Sequence, residues 1–172
     1  MFTKTKTMKN LLAVLLIAFS LNGFAQHKES SWHTDVNKAI ELSVKQEKPL
    51  FFFFTGSDWC GWCKKLVAEV FEKAKFKTWA TQNVILVEID FPRRTPISKQ
   101  LRKQNEELMR AFGPVYQRNY GRRMGYPTGF FVNPTVKDGK VNLLTGILGV
   151  QGYVRGGPTE WIAGANQILK NK

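Results

Sequence analysis

Leu50-Phe-Phe-Phe-Phe54 is a run of five large apolar residues with no alternation. A strand with one wetted face shows a period of two, so this run has to be covered on both faces. That requires layers above and below a sheet. The rest of the chain offers them. Thr34–Glu47 carries Val36, Ile40 and Val44 at four-residue steps with Ala39 and Leu42 beside them, and Thr34 or Asp35 can cap it. A helix is expected there, stopping before Pro49. A second helix is expected from Cys60 to about Lys73, burying Leu66, Val67, Val70 and Phe71. Val84–Ile89 reads as another buried strand. Ile97–Phe112 then places Ile97, Leu101, Leu108, Met109 and Phe112 on one side of a third helix. Thr128–Val132 and Val141–Ile147 are expected strands joined through Pro134–Gly139, with the turn at Asp138-Gly139, and Thr159–Leu169 is an amphipathic closing helix. Strands alternating with helices make an α/β layer fold. Thirteen Phe and five Trp among 172 residues exclude disorder, and two cysteines exclude a disulfide-stapled mini-protein.

The first 25 residues read as a leader rather than as part of that fold. Lys4, Lys6 and Lys9 precede an apolar stretch, Leu11–Leu21, and Asn22-Gly-Phe-Ala25 ends it with small residues at the −3 and −1 places. This is the pattern of a secretory signal peptide cut after Ala25, with Met8 as an alternative start. The stretch is shorter than the about 20 apolar residues a membrane span needs, and no cysteine stands at the cut to take a lipid. The mature domain is expected to be 26–172, exported, and periplasmic if the cell is Gram-negative. Its cysteines would then meet an oxidising compartment.

Those cysteines carry the chemistry. Cys60-Gly61-Trp62-Cys63 follows the buried strand at a strand-to-helix junction, which puts Cys60 at a helix N-terminus, where unpaired N–H groups favour a thiolate. Cys63 lies one turn further in, within reach of a mixed disulfide formed on Cys60. Two other readings of the same residues are a zinc site and a purely structural disulfide. The first lacks ligands, because His27 and His33 have no ligand spacing. The second would close too small a loop to stabilise much.

With these residues in view the chain resembles the thioredoxin superfamily over nearly all of 26–172. Trp59-Cys60-Gly61-Trp62-Cys63 is similar to the family's active-site motif, and Tyr126-Pro127-Thr128 to the cis-proline loop that faces it. A narrower resemblance is to small periplasmic thioredoxin-like proteins of the DsbH type. It rests on Thr55-Gly-Ser-Asp-Trp-Cys60, Val87-Glu-Ile-Asp-Phe-Pro92, Gln104-Asn-Glu-Glu-Leu108 and Gly156-Gly157. The resemblance implies a thioredoxin fold, a central mixed sheet flanked by helices, with a helical insertion at roughly 91–119 before the cis-proline loop. It implies a protein disulfide reductase or isomerase-type oxidoreductase with a redox disulfide Cys60–Cys63, Cys60 as nucleophile and Cys63 as resolving thiol. Trp59, Gly61, Trp62, Tyr126, Pro127 and Thr128 would contact the substrate. The implied partners are disulfide-containing exported proteins and a membrane or soluble electron donor, with no metal or organic cofactor. The insertion is too small for the dimerisation domain of V-shaped isomerases, so a monomer is expected.

Two departures matter. The family's buried acid, six residues before the first cysteine, is Phe54 here, and its accompanying lysine is Leu86. The proton of Cys63 must therefore leave by water or another group, and resolution is expected to be slower. No histidine stands between the cysteines. A moderately lowered thiol pKa and a reducing or intermediate potential are expected, with shuffling as a secondary activity.

The formal charge of +13 falls to +10 once the leader's three lysines are removed. Residues 91–123 hold nine basic side chains against Glu106 and Glu107, most of the excess in one stretch. That face could steer acidic substrate proteins, touch an anionic surface weakly, or simply be a solvated helix face. An exported protein has little access to nucleic acid, and no recognition motif for it is present. The competing function is a non-catalytic binding module that uses the scaffold and this basic face.

Overall fold

The computed structural model describes residues 31–170 apart from Asp138; the expected leader, His27 and Asp138 lie outside the described residues. The chain runs α1 (Val36–Gln46), β1 (Leu50–Thr55), α2 (Gly61–Leu66) continued by a π-helical turn (Val67–Phe71), α3 (Ala74–Asn83), β2 (Ile85–Asp90), α4 (Lys99–Tyr120), β3 (Thr128–Val132), β4 (Thr135–Lys137), β5 (Lys140–Asn142), β6 (Ile147–Gln151) and α5 (Gly157–Leu169). Four strands form one mixed sheet in the order β2-β1-β3-β6. β1 pairs parallel with β2, Phe53 opposite Glu88, and antiparallel with β3, Phe51 opposite Phe131. Outside β2, a single parallel bridge joins His33 to Val87.

The apolar run behaves as its pattern demands, since all of β1 is buried. Phe51 and Phe53 face one helical layer with Val70, Phe71, Phe76 and Trp161; Leu50, Phe52 and Phe54 face the other with Val36, Ala39, Phe112 and Tyr116. A sheet this aromatic needs room where strands approach closely. Gly129 of β3 provides it, because a Cβ there would run into the ring of Phe51 and the carbonyl of Gln151.

Several expected elements are corrected. Asp35, not Thr34, caps α1, accepting from the Lys38 amide at 3.2 Å. Val44 is 55% exposed, and the buried position beside it is Ser43, whose hydroxyl donates to the Lys48 carbonyl. The helix α3 was not expected at all; it buries Phe76, Trp79 and Ala80 behind a polar outer face. The third helix starts later than expected, capped by Ser98, and runs past Phe112 through Pro114 to Tyr120, ending on Gly121 at φ 67°. A proline inside a helix costs about 3 kcal/mol. The buried Tyr116, 6.2 Å from the ring of Phe130, and Phe112, 4.9 Å from it, offset that cost. Finally, Val141–Ile147 is not one strand. A small β4–β5 hairpin leaves the sheet, Asn142 turns the chain by accepting from the Leu144 and Thr145 amides, and β6 begins at Ile147. Among the described residues no helix is long and apolar enough to cross a membrane.

Candidate active site

β1 ends at Thr55, and the chain crosses the sheet top through Gly56-Ser-Asp-Trp59 before α2 starts. Cys60 is the N-cap of α2, in extended conformation, and its sulfur accepts the Cys63 amide at 3.2 Å. The helix start therefore points a backbone N–H at the sulfur that has to carry negative charge. Cys60 and Cys63 form a disulfide with their Cα atoms 5.2 Å apart, and both are buried, Cys63 the more deeply. Gly61 opens α2 with no atom near the place a side chain would fill, and Trp62 is 56% exposed.

The loop before β3 meets the segment that leads into the pair, at Trp59. The Tyr126–Pro127 peptide bond is cis, and the Thr128 hydroxyl, buried, donates to the Gly125 carbonyl at 2.7 Å. Thr128 thus braces the turn from inside, while Tyr126 meets Trp59 edge-on at 5.4 Å and Phe91 at 5.8 Å. The end of β6 closes the other side: Gly152 lies against the Pro127 carbonyl, and Tyr153 packs 5.3 Å from Trp62. Trp59 donates its indole N–H to the Phe91 carbonyl at 2.8 Å, so it is anchored as well as stacked.

Sequence reasoning missed what sews these loops together. The Asp58 carboxylate accepts the backbone amides of Arg93, Arg94 and Thr95 at 3.0, 2.6 and 2.9 Å. Asp90 likewise accepts from the amide and hydroxyl of Ser57. The Arg93 amide first, helped by those of Thr95 and Arg94 and opposed by partial desolvation, lowers the Asp58 pKa from 3.8 to about 2. Because the folded value lies below the unfolded one, the stabilisation is present above 3.8 and is lost as pH falls through about 2. The amide resonances of Arg93, Arg94 and Thr95 are expected to shift together over that window. In Asp58→Asn they should be displaced at neutral pH and show no such acid transition. The only signal for Asp58 in the sequence was its place in the motif before Cys60; for Tyr153 there was none.

At the two positions where the family keeps its buried acid and lysine, the departures are structural. Phe54 is packed 5.7 Å from both Phe112 and Phe130 in the layer away from the cysteines, and Leu86 is buried in the layer that contains them. Glu88, two residues beyond Leu86 on β2, is partly buried. Its pKa is raised, by desolvation first and by Asp90 second. Among the described residues no three His, Cys, Asp or Glu side chains cluster as metal ligands do.

A thioredoxin-like family model matches residues 31–134. The chain is 29% identical over 133 residues to the disulfide bond reductase DsbH of Chlamydia pneumoniae, covering 77% of this chain and 69% of that protein. It is 34% identical over 107 residues to the thioredoxin-related protein DsbJ of the same organism, covering 59% of this chain but only 31% of that protein. Among solved structures, a DsbH oxidoreductase superposes with a TM-score of 0.64 at 28% identity, over 84% of this chain and 87% of the other.

Proposed function

The chain belongs to the thioredoxin-like family, and from that premise we propose that this thiol–disulfide oxidoreductase is an exported reductase of protein disulfides. The observation that carries the reading is the Cys60 sulfur capping α2, with the Cys63 amide directed at it at 3.2 Å. In the reduced protein the Cys60 thiolate attacks one sulfur of a substrate disulfide. A Cys60–substrate disulfide forms and the other substrate sulfur leaves as thiolate. Cys63, once deprotonated, attacks the Cys60 sulfur and expels the second substrate thiolate. Two electrons have then passed to the substrate, and the Cys60–Cys63 disulfide remains. An external dithiol donor reverses these exchanges to restore the enzyme.

Tyr126 and Pro127 would place the substrate backbone against the cysteines, and Trp59 and Trp62 would form its apolar rim. The contact of Trp59 with Tyr126 supports this, because it holds the two segments side by side. Gly61, with open space above it, lets the substrate chain approach Cys60. Thr128 acts one step back, through the turn it braces. The disulfide reductase named among the relatives supports the reducing direction, and the pattern of the first 25 residues supports export.

Equilibration of the pair against a glutathione couple, read by alkylation, tests the direction. A reduction potential near or below about −230 mV is expected; a value between about −180 and −120 mV would make the protein an isomerase or oxidant instead.

A further inference from the structure

Among the described residues, the basic side chains on the rim of the site have one carboxylate partner, at Lys65. Lys64, Lys65, Arg93 and Arg94 flank the cysteine pair, and Arg122 and Arg123 lead into Tyr126. Asp58 and Glu69, the acids on the same stretch of chain as the cysteines, already carry other contacts. Asp58 spends its carboxylate on three backbone amides, and Glu69 accepts the Tyr153 hydroxyl at 2.6 Å while meeting Lys65 at 3.8 Å. Arg93 is exposed, and neither ion pair formed among the described residues includes it. Its guanidinium lies 4.0 Å from the centre of the Trp59 ring, next in sequence to Cys60. Across the pair, the Lys65 ammonium stands 5.3 Å from the rings of both Trp62 and Tyr153, next to Cys63.

A guanidinium held over an indole face keeps its N–H edge for a carboxylate, and the planar fork suits a carboxylate better than any other side chain. Its position is also set in advance, since Asp58 grips the backbone of Arg93 itself. An extended substrate advances about 3.3 Å per residue. A carboxylate one or two residues from the reacting cysteine would therefore come level with the Trp59–Arg93 stack.

We propose that Arg93, stacked on Trp59, selects substrates whose disulfide-bonded cysteine is flanked by aspartate or glutamate, with Lys65 as a weaker second contact. The proposal rests on the reductase reading and names its substrate class. The bonds made and broken are those of the exchange described above, and Arg93 takes no part in them; it holds the substrate, not the reacting sulfurs.

The test is single-turnover reduction by the pre-reduced protein of three symmetrical peptide disulfides that differ only in having Asp, Ser or Lys beside the cysteine. At low salt the Asp peptide is expected to react about tenfold faster than the Ser peptide, and the Lys peptide slower than both, with the spread shrinking as salt rises. In Arg93→Gln the Asp-to-Ser ratio should fall towards one. Arg93→Lys, which keeps the charge but not the fork, should hold an intermediate ratio, and Arg110→Gln, on α4, should leave it unchanged. Equal Asp and Ser rates in the unaltered protein overturn the proposal, as does an undiminished ratio in Arg93→Gln. Failure to reduce any of the three peptides overturns the reductase reading, and the selectivity with it.

Discussion

Cys60→Ser is expected to leave the fold in place and to end disulfide reduction, lowering the rate on the order of 10³-fold or more, since a serine cannot form the mixed disulfide. The fold survives because the Cys60–Cys63 link closes a very short loop and restrains the unfolded chain little. The layers on either side of β1 do not depend on it. Cys63→Ser should fail differently. Its Cys60 still attacks, but nothing resolves the product, so the substrate accumulates as a covalent adduct that survives non-reducing electrophoresis and is released by dithiothreitol. Turnover by Cys60→Ser would show that the sulfur at the start of α2 is not the nucleophile. If Cys60→Ser bound a partner as tightly as the unaltered chain, and neither variant formed adducts, the competing binding-module function would be favoured.

The largest loss of stability is expected at Trp161, whose truncation to alanine should cost about 3–5 kcal/mol. Trp161 is fully buried, and its ring lies 5.3 Å from Phe51, 5.4 Å from Phe71, 5.3 Å from Phe76 and 5.8 Å from Trp79, edge-on to each. Its indole N–H donates to the Gly152 carbonyl at 3.0 Å, and its own carbonyl accepts from the Gln151 side chain. Removing it empties the centre of one layer and leaves the partly buried Gly152 carbonyl, next to the Pro127 loop, without its donor. Domains of this size have only about 5–15 kcal/mol in total, so Trp161→Ala should unfold at a much lower urea concentration with little change in slope. Trp161→Phe, which keeps a ring but loses the hydrogen bond, should fall between the two. A shift smaller than about 1 kcal/mol for the alanine variant would mean that this cluster does not hold the layer together.

What could be read from the residues alone follows from how local the physics is. The run Leu50–Phe54 and the position of Cys60 at a helix start need only nearest neighbours to be understood, and both stand as expected. Val44 keeps the helical spacing yet faces water, because α1 turns Ser43 inward instead. The helix α3 has Phe76, Trp79 and Ala80 at the right intervals, but the six polar residues of the same ten-residue helix diluted the pattern below notice. Gly113-Pro114 looks like a helix stop, and only the distant Phe130 explains why the helix continues. The site divides in the same way. Cys60, Cys63, Tyr126 and Pro127 belong to short motifs, whereas Asp58 reaching Arg93–Thr95 and Tyr153 reaching Trp62 join segments over 30 and 90 residues apart in the chain. No periodicity within either segment encodes such a meeting.

The central strand has a consequence for how the chain reaches this structure. Leu50–Thr55 pairs with β2, about 35 residues later, and with β3, where Phe51 stands opposite Phe131. Contacts of such long separation form slowly, and an unpaired phenylalanine-rich strand is prone to aggregate while it waits. The two cysteines just beyond that strand are exposed for the same interval, in whatever redox conditions the new chain meets. With only two cysteines in the sequence, there is one intramolecular disulfide to make, so early oxidation within the chain has no wrong partner to choose. The hazard of late assembly therefore falls on the phenylalanines, and the protein can be born oxidised without being born misfolded.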